Sequence, residues 1–120
     1  MKEKLLLLIC PVVVVLAISI SAPIHAQPEP RTIELTAHRF TYEADEITLK
    51  VGQPVLLVVK SEDVPHGLRI RELGVDLKIP AHGAAKAQFT PKQAGEFIGH
   101  CFVFCGNGHG TMALTVHVVD

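Results

Sequence analysis

The stretch Cys101-Phe-Val-Phe-Cys105-Gly-Asn-Gly-His109-Gly-Thr-Met112 packs two thiols, an imidazole and a thioether into twelve residues. Soft donors of this kind select copper, zinc or iron–sulfur over magnesium or calcium. Past residue 26, Cys101 and Cys105 are the only cysteines and Met112 the only methionine. A purely structural reading leaves that concentration as coincidence, so the stretch reads as a metal-binding loop. The flanks say what kind of loop it is. Phe97 belongs to a segment expected to end near His100, and Met112, Leu114, Val116 and Val118 alternate with polar or small residues. The donors therefore sit between two strands, and such a pinned loop is a rigid scaffold for a metal whose ligands must not rearrange.

Working outward, the same alternation recurs between turn signals. Ile33, Leu35 and Ala37 form one run, and Ile47, Leu49 and Val51 form another that ends at Gly52-Gln-Pro54. Val55 to Val59 is continuously apolar, as expected of a central strand covered on both faces. Leu68 and Ile70 follow, then Val75, Leu77 and Ile79 before Pro80-Ala-His-Gly83, then Ala85, Ala87 and Phe89. Seven or eight strands at this spacing, with no 3.6-residue period after the leader, predict an all-β sandwich with little helix.

The chain opens Met1-Lys-Glu-Lys, continues apolar from Leu5 to Ile20 and reaches small residues ending near Ala26. These are the marks of an export signal, occupying residues 1–26. A retained membrane anchor over residues 5–22 is the rival, short for a bilayer span and interrupted by Pro11. Either way the domain is expected outside the cytoplasmic membrane, in a periplasmic or other extracytoplasmic space. Residues 27–32 read as an extended tether and 33–120 as one small domain. Past residue 26, nine basic side chains stand against eleven acidic ones, a balance that argues against nucleic acid as a partner.

A loop cluster needs a donor from the body of the domain, and His66 is the candidate. It lies in Ser61-Glu-Asp-Val-Pro-His-Gly-Leu-Arg-Ile70, where Pro65 and Gly67 set a turn that aims the ring in one direction. His38, His82 and His117 read as surface or hydrogen-bonded side chains. His100, next to Cys101, is ambiguous.

At these residues the sequence resembles the copper-A domain of subunit II of haem–copper oxidases. That family's Cys-x3-Cys-x3-His-x2-Met pattern is met by Cys101, Cys105, His109 and Met112, and its upstream Ser-x-Asp-Val-x-His by residues 61–66. His38-Arg-Phe40, Ile47-Thr-Leu-Lys-Val-Gly52 and Gly95-Glu-Phe97 extend the likeness over nearly the whole domain. The resemblance implies a cupredoxin, a Greek-key sandwich, holding two copper ions bridged by Cys101 and Cys105. His66 and His109 would each cap one copper, Met112 would bind one weakly, and the backbone carbonyl of Val103 the other. The family often has Glu where Val103 stands, so the magnesium link made by that glutamate is in doubt, though a carbonyl ligand is indifferent to the side chain. The aromatic-rich electron-entry surface of the family is not evident, since the chain has no Trp. The implied role is an electron carrier and not an enzyme, monomeric on its own, working between cytochrome c and a haem–copper oxidase or another redox partner.

Three other chemistries use the same ligands. A mononuclear blue-copper site would take His66, one cysteine, His109 and Met112, leaving a cysteine over. A Cys2His2 zinc site gives Met112 no task. A disulfide between Cys101 and Cys105 leaves His109 and Met112 unexplained. A different function, delivering or storing copper for an oxidase, also fits the donor set.

Overall fold

Alternating side chains have built two facing sheets. The computed structural model describes residues 17–120. The strands are β1 (Arg31–His38), β2 (Thr41–Glu43), β3 (Glu46–Lys50), β4 (Val55–Ser61), β5 (His66–Ile70), β6 (Val75–Ile79), β7 (Ala84–Phe89), β8 (Gly95–His100) and β9 (Ala113–Val119). Single 3-10 turns at Arg71–Leu73 and His109–Thr111 are the only helical pieces among the described residues. One sheet runs β2-β1-β4-β7 and the other β3-β9-β8-β5-β6. The all-β sandwich expected from the sequence is what forms. The strand beyond the expected seven or eight is β2, whose three residues are too few to show a period.

The burial pattern follows the sequence pattern closely. In β6, Val75, Leu77 and Ile79 are buried while Asp76 and Lys78 are exposed. In β9, Leu114, Val116 and Val118 face inward. β4 lies between β1 and β7, and Val58 is buried on its outer face as well as Leu57 and Val59 on the inner one. Each fully buried Leu or Val contributes about 1.5–3 kcal/mol relative to exposure. Together the inward-facing side chains and Tyr42, Leu68 and Ile70 form one core between the sheets.

Strand directions gather the candidate ligands at one end. β1 and β4 run parallel, so Ala37 and Ser61 finish side by side. β5 runs antiparallel to β8 with Arg69 opposite His100, so the start of β5 extends past β8 and lies beside the loop that follows it. β9 returns antiparallel to β8, so the 101–112 loop closes this same end.

The leader reading, signal or anchor, falls largely on residues 1–16, outside the described residues. Residues 17–30 are exposed and without regular structure, and β1 already includes Arg31 and Thr32, which the sequence reading gave to the tether. Among the described residues no helix is long and apolar enough to cross a membrane.

Candidate metal centre

Six residues singled out in the sequence lie together at the closed end of the sandwich. Cys101, Cys105 and Met112 belong to the core cluster itself. His66 opens β5 and is fully buried. The Cys101 and Cys105 sulfurs are 3.8 Å apart and both cysteines are free, against about 2.05 Å for a disulfide. The Cys105 Sγ lies 3.7 Å from His109 Nδ1 and 3.8 Å from Met112 Sδ. The Cys101 Sγ lies 3.1 Å from the Val103 carbonyl oxygen. One ligand atom from each of His66, Cys101 and Cys105 falls within 4.8 Å of the other two.

Each position has a local cause. The Cys101 amide donates to the Met112 carbonyl (3.2 Å), tying the two ends of the loop together as the sheet begins. Alternation along β8 buries Gly99 and Cys101 and turns His100 outward, so His100 stands away from the cluster despite its place in the chain. The His109 and Met112 amides close a tight turn on the Gly106 (3.1 Å) and His109 (3.3 Å) carbonyls. Gly67 must be glycine, because a Cβ there would lie 2.8 Å from the Phe102 ring and 3.1 Å from Val103. That close approach lets the loop lie on the backbone beside His66. Gly106 has φ +134°, a conformation side chains rarely adopt, and the Phe40 ring packs where its Cβ would be.

The buttressing residues spend their polar groups on holding the candidate donors. Asp63 Oδ1 pairs with His66 Nε2 at 2.6 Å and accepts from the Val64 amide at 2.7 Å. Its other oxygen accepts from the Arg39 amide at 2.9 Å. Burial works to raise the Asp63 carboxyl, but bonds from the Arg39 amide, His66 and the Val64 amide outweigh it and hold it down at about 2. Tyr42 donates its hydroxyl to the Gly67 carbonyl at 2.5 Å, and burial, then the Cys101 sulfur, push its ionisation far up. The Gly67 amide points at the Cys101 sulfur, 3.4 Å away. Burial, then the neighbouring Cys101 sulfur, raise the Cys105 thiol to about 11. A metal taking this site must therefore displace a firmly held proton.

These residues fit a soft metal. Among the described residues, Nδ1 of His66 is the one buried side-chain nitrogen or oxygen left without a hydrogen-bond partner. Leaving such a group unpaired costs about 1–3 kcal/mol, which a bound ion would remove. Sulfurs 3.8 Å apart allow two bonds of about 2.3 Å to meet on one ion at roughly the tetrahedral angle. Four strong donors with a thioether and a carbonyl beside them exceed the four places of a tetrahedral soft ion.

The other histidines lie elsewhere. His38 pairs with Glu43 (3.1 Å), His117 stands between Glu46 and Glu96 on the outer face, and His82 is exposed. The sequence reading missed Arg39 and Tyr42 as parts of the site, because nothing local links Arg39 to Cys105, 66 residues away, or Tyr42 to Gly67, 25 residues away. Asp63 did leave a signal, standing three residues before His66 in a turn closed by Pro65.

A profile of the cupredoxin-like domain family matches residues 8–114. Two Thermus thermophilus proteins named cytochrome c oxidase subunit 2 are each 26% identical over 99 residues, 82% of this chain. The chain spans 73% of the length of one and 59% of the other. The structure of the periplasmic domain of subunit II of cytochrome oxidase from Bradyrhizobium japonicum superposes with a TM-score of 0.70 at 19% identity, over 79% of this chain and 88% of that one.

Proposed function

The chain belongs to the cupredoxin-like domain family, and on that footing we propose that it is an electron-transfer protein carrying two copper ions on Cys101 and Cys105. The supporting observation is the paired sulfurs with a histidine nitrogen available on each side: the unpartnered His66 Nδ1, and the His109 Nδ1 at 3.7 Å from Cys105. In this reading Met112 Sδ and the Val103 carbonyl are the weak donors. Two coppers bridged in this way would share one unpaired electron and exchange it with little change in bond lengths. The chain's own part is stiffness. His66 is held by Asp63, the loop ends by the Cys101–Met112 backbone bond, and the second histidine by its turn. With the metal places taken by protein donors, none remains open for a substrate, which favours a carrier over a catalyst.

The similarity to oxidase subunit II supports a place outside the cytoplasmic membrane, with cytochrome c or a haem–copper oxidase as redox partner. Half-buried His109, beside exposed Phe104, is the part of the cluster a partner can approach. Delivery of copper is the less favoured role, because a donor should offer accessible ligands. Here Cys101, Cys105, Met112 and His66 are 5%, 3%, 1% and 0% exposed. Metal analysis with an electron-spin spectrum tests the proposal. The expected result is two coppers per chain and one electron spread over two copper nuclei, retained under a chelator. One copper per chain with a single-nucleus signal overturns the binuclear reading, and ready surrender to a chelator overturns the carrier.

A further inference from the structure

The hairpin turn between β1 and β2 reaches both halves of the metal site. Arg39 uses its side chain on one half, Nε donating to the Cys105 carbonyl at 3.0 Å, across 66 residues of sequence. It uses its backbone on the other, its amide donating at 2.9 Å to the Asp63 oxygen opposite the one that holds His66. Phe40, its neighbour, lays its ring where Cβ atoms of Gly106 and Gly108 would stand, so it presses on the loop just past Cys105. His66 and Cys105 come from separate parts of the chain. The Arg39 contacts tie both to one rigid turn.

We infer that Arg39 is a positioning residue whose Nε–H locks the Cys105 peptide and thereby fixes where the Cys105 sulfur stands relative to His66. The inference rests on the copper reading for its spectroscopic consequence, but the lock itself exists without metal. Removing a donor and leaving a part-buried carbonyl such as that of Cys105 without its partner costs more than the bond itself contributes. Losing this bond should raise the opening of the loop about tenfold or more. The charge is incidental to the geometry. Glutamine carries its amide nitrogen the same number of bonds from Cα as arginine carries Nε, whereas lysine has a methylene there and methionine a methyl.

The full chain bearing Arg39→Met, Arg39→Lys or Arg39→Gln therefore separates hydrogen bond from charge. In the metal-free protein, amide hydrogen exchange at residues 105–112 should quicken about tenfold or more in the Met and Lys variants and stay near wild type in Gln. In the copper-loaded protein, the Met and Lys variants should show an altered spin spectrum and reduction potential, both restored by Gln. A Lys variant matching wild type in exchange would overturn the lock in favour of charge. Wild-type exchange in all three would show the contact to be incidental, and exchange quickened equally in all three, Gln included, would overturn the Nε–H as the lock. If the exchange pattern holds but no variant, nor the wild type, shows a two-nucleus spectrum, the lock stands and the binuclear reading falls.

Discussion

The two histidines of the site are held in opposite ways. His66 begins a strand inside the larger sheet, is fully buried, and has Nε2 fastened to Asp63 at 2.6 Å. His109 sits in a single 3-10 turn between glycines, half-buried, with the Phe104 ring centred 5.7 Å away. The first is oriented by the body of the domain and the second by its own loop. A site built so has one side that is buried and fastened and one side that is half open to solvent. That asymmetry suits an electron carrier, which needs stiffness at the metal and access at one ligand.

The largest effect should come from removing what both sides share. The Cys105 sulfur lies within 3.8 Å of Cys101, His109 and Met112 sulfur or nitrogen atoms. Cys105→Ser should abolish the two-nucleus spin signal and cut copper below one ion per chain, whichever histidine remains. An unchanged spectrum would mean that Cys105 is no bridge. Next come the histidines themselves. His66→Ala should lose copper and about 3 kcal/mol of stability, because it opens a buried space and strands Asp63. His109→Ala should leave the melting temperature of the metal-free protein nearly unchanged, and added imidazole should restore its spectrum. Imidazole rescue of His66→Ala to the same degree would erase the distinction between the sides.

A smaller change tests the support and not the ligand. Asp63→Asn keeps the shape but weakens the hold on His66, and loss of a carboxylate behind a metal-bound histidine costs roughly 10–100-fold in affinity. Copper titration should show that loss for Asp63→Asn, with no comparable loss for Glu43→Gln beside the unrelated His38. The metal-free protein should also show two pH edges. The Asp63 carboxyl is held near 2, below its ordinary 3.8, so its contribution is present above pH 3.8 and lost as pH falls towards 2. The Cys105 thiol is raised to about 11 from 9.0, so its contribution is complete below pH 9 and lost as pH rises towards 11. Thermal melts across pH should lose the alkaline edge in Cys105→Ser and the acid edge in Asp63→Asn.

The gathering of the candidate donors and the sandwich were legible in the sequence because both are written locally. A period of two marks β6 and β9, and soft ligands clustered over twelve residues mark the loop. His66 was legible through its own neighbours, Pro65 and Gly67. Arg39, Tyr42 and Phe40 were not, since their contacts with the site span 25 to 68 residues of chain, and an arginine in a turn or a tyrosine in a short strand has many uses. β2 escaped notice for a different reason, its three residues being shorter than the pattern that reveals a strand. The sequence thus announces a candidate ligand more readily than the residues that hold it in place.

The gentlest perturbation asks whether the loop side contributes tuning as well as access. Met112 is 1% exposed and packs in the core, with Sδ 3.8 Å from the Cys105 sulfur. Leucine has nearly the same volume, and such swaps usually cost less than about 1.5 kcal/mol. Met112→Leu should therefore fold and keep both coppers. It replaces a weak electron donor by hydrocarbon, which withdraws support from the oxidised state more than from the reduced one. The reduction potential should then rise while the two-nucleus spectrum persists. A fall in potential would contradict the donor role, and loss of copper would make Met112 a main ligand. No change at all would place the thioether among the packing residues, leaving His109 alone to cap the accessible side.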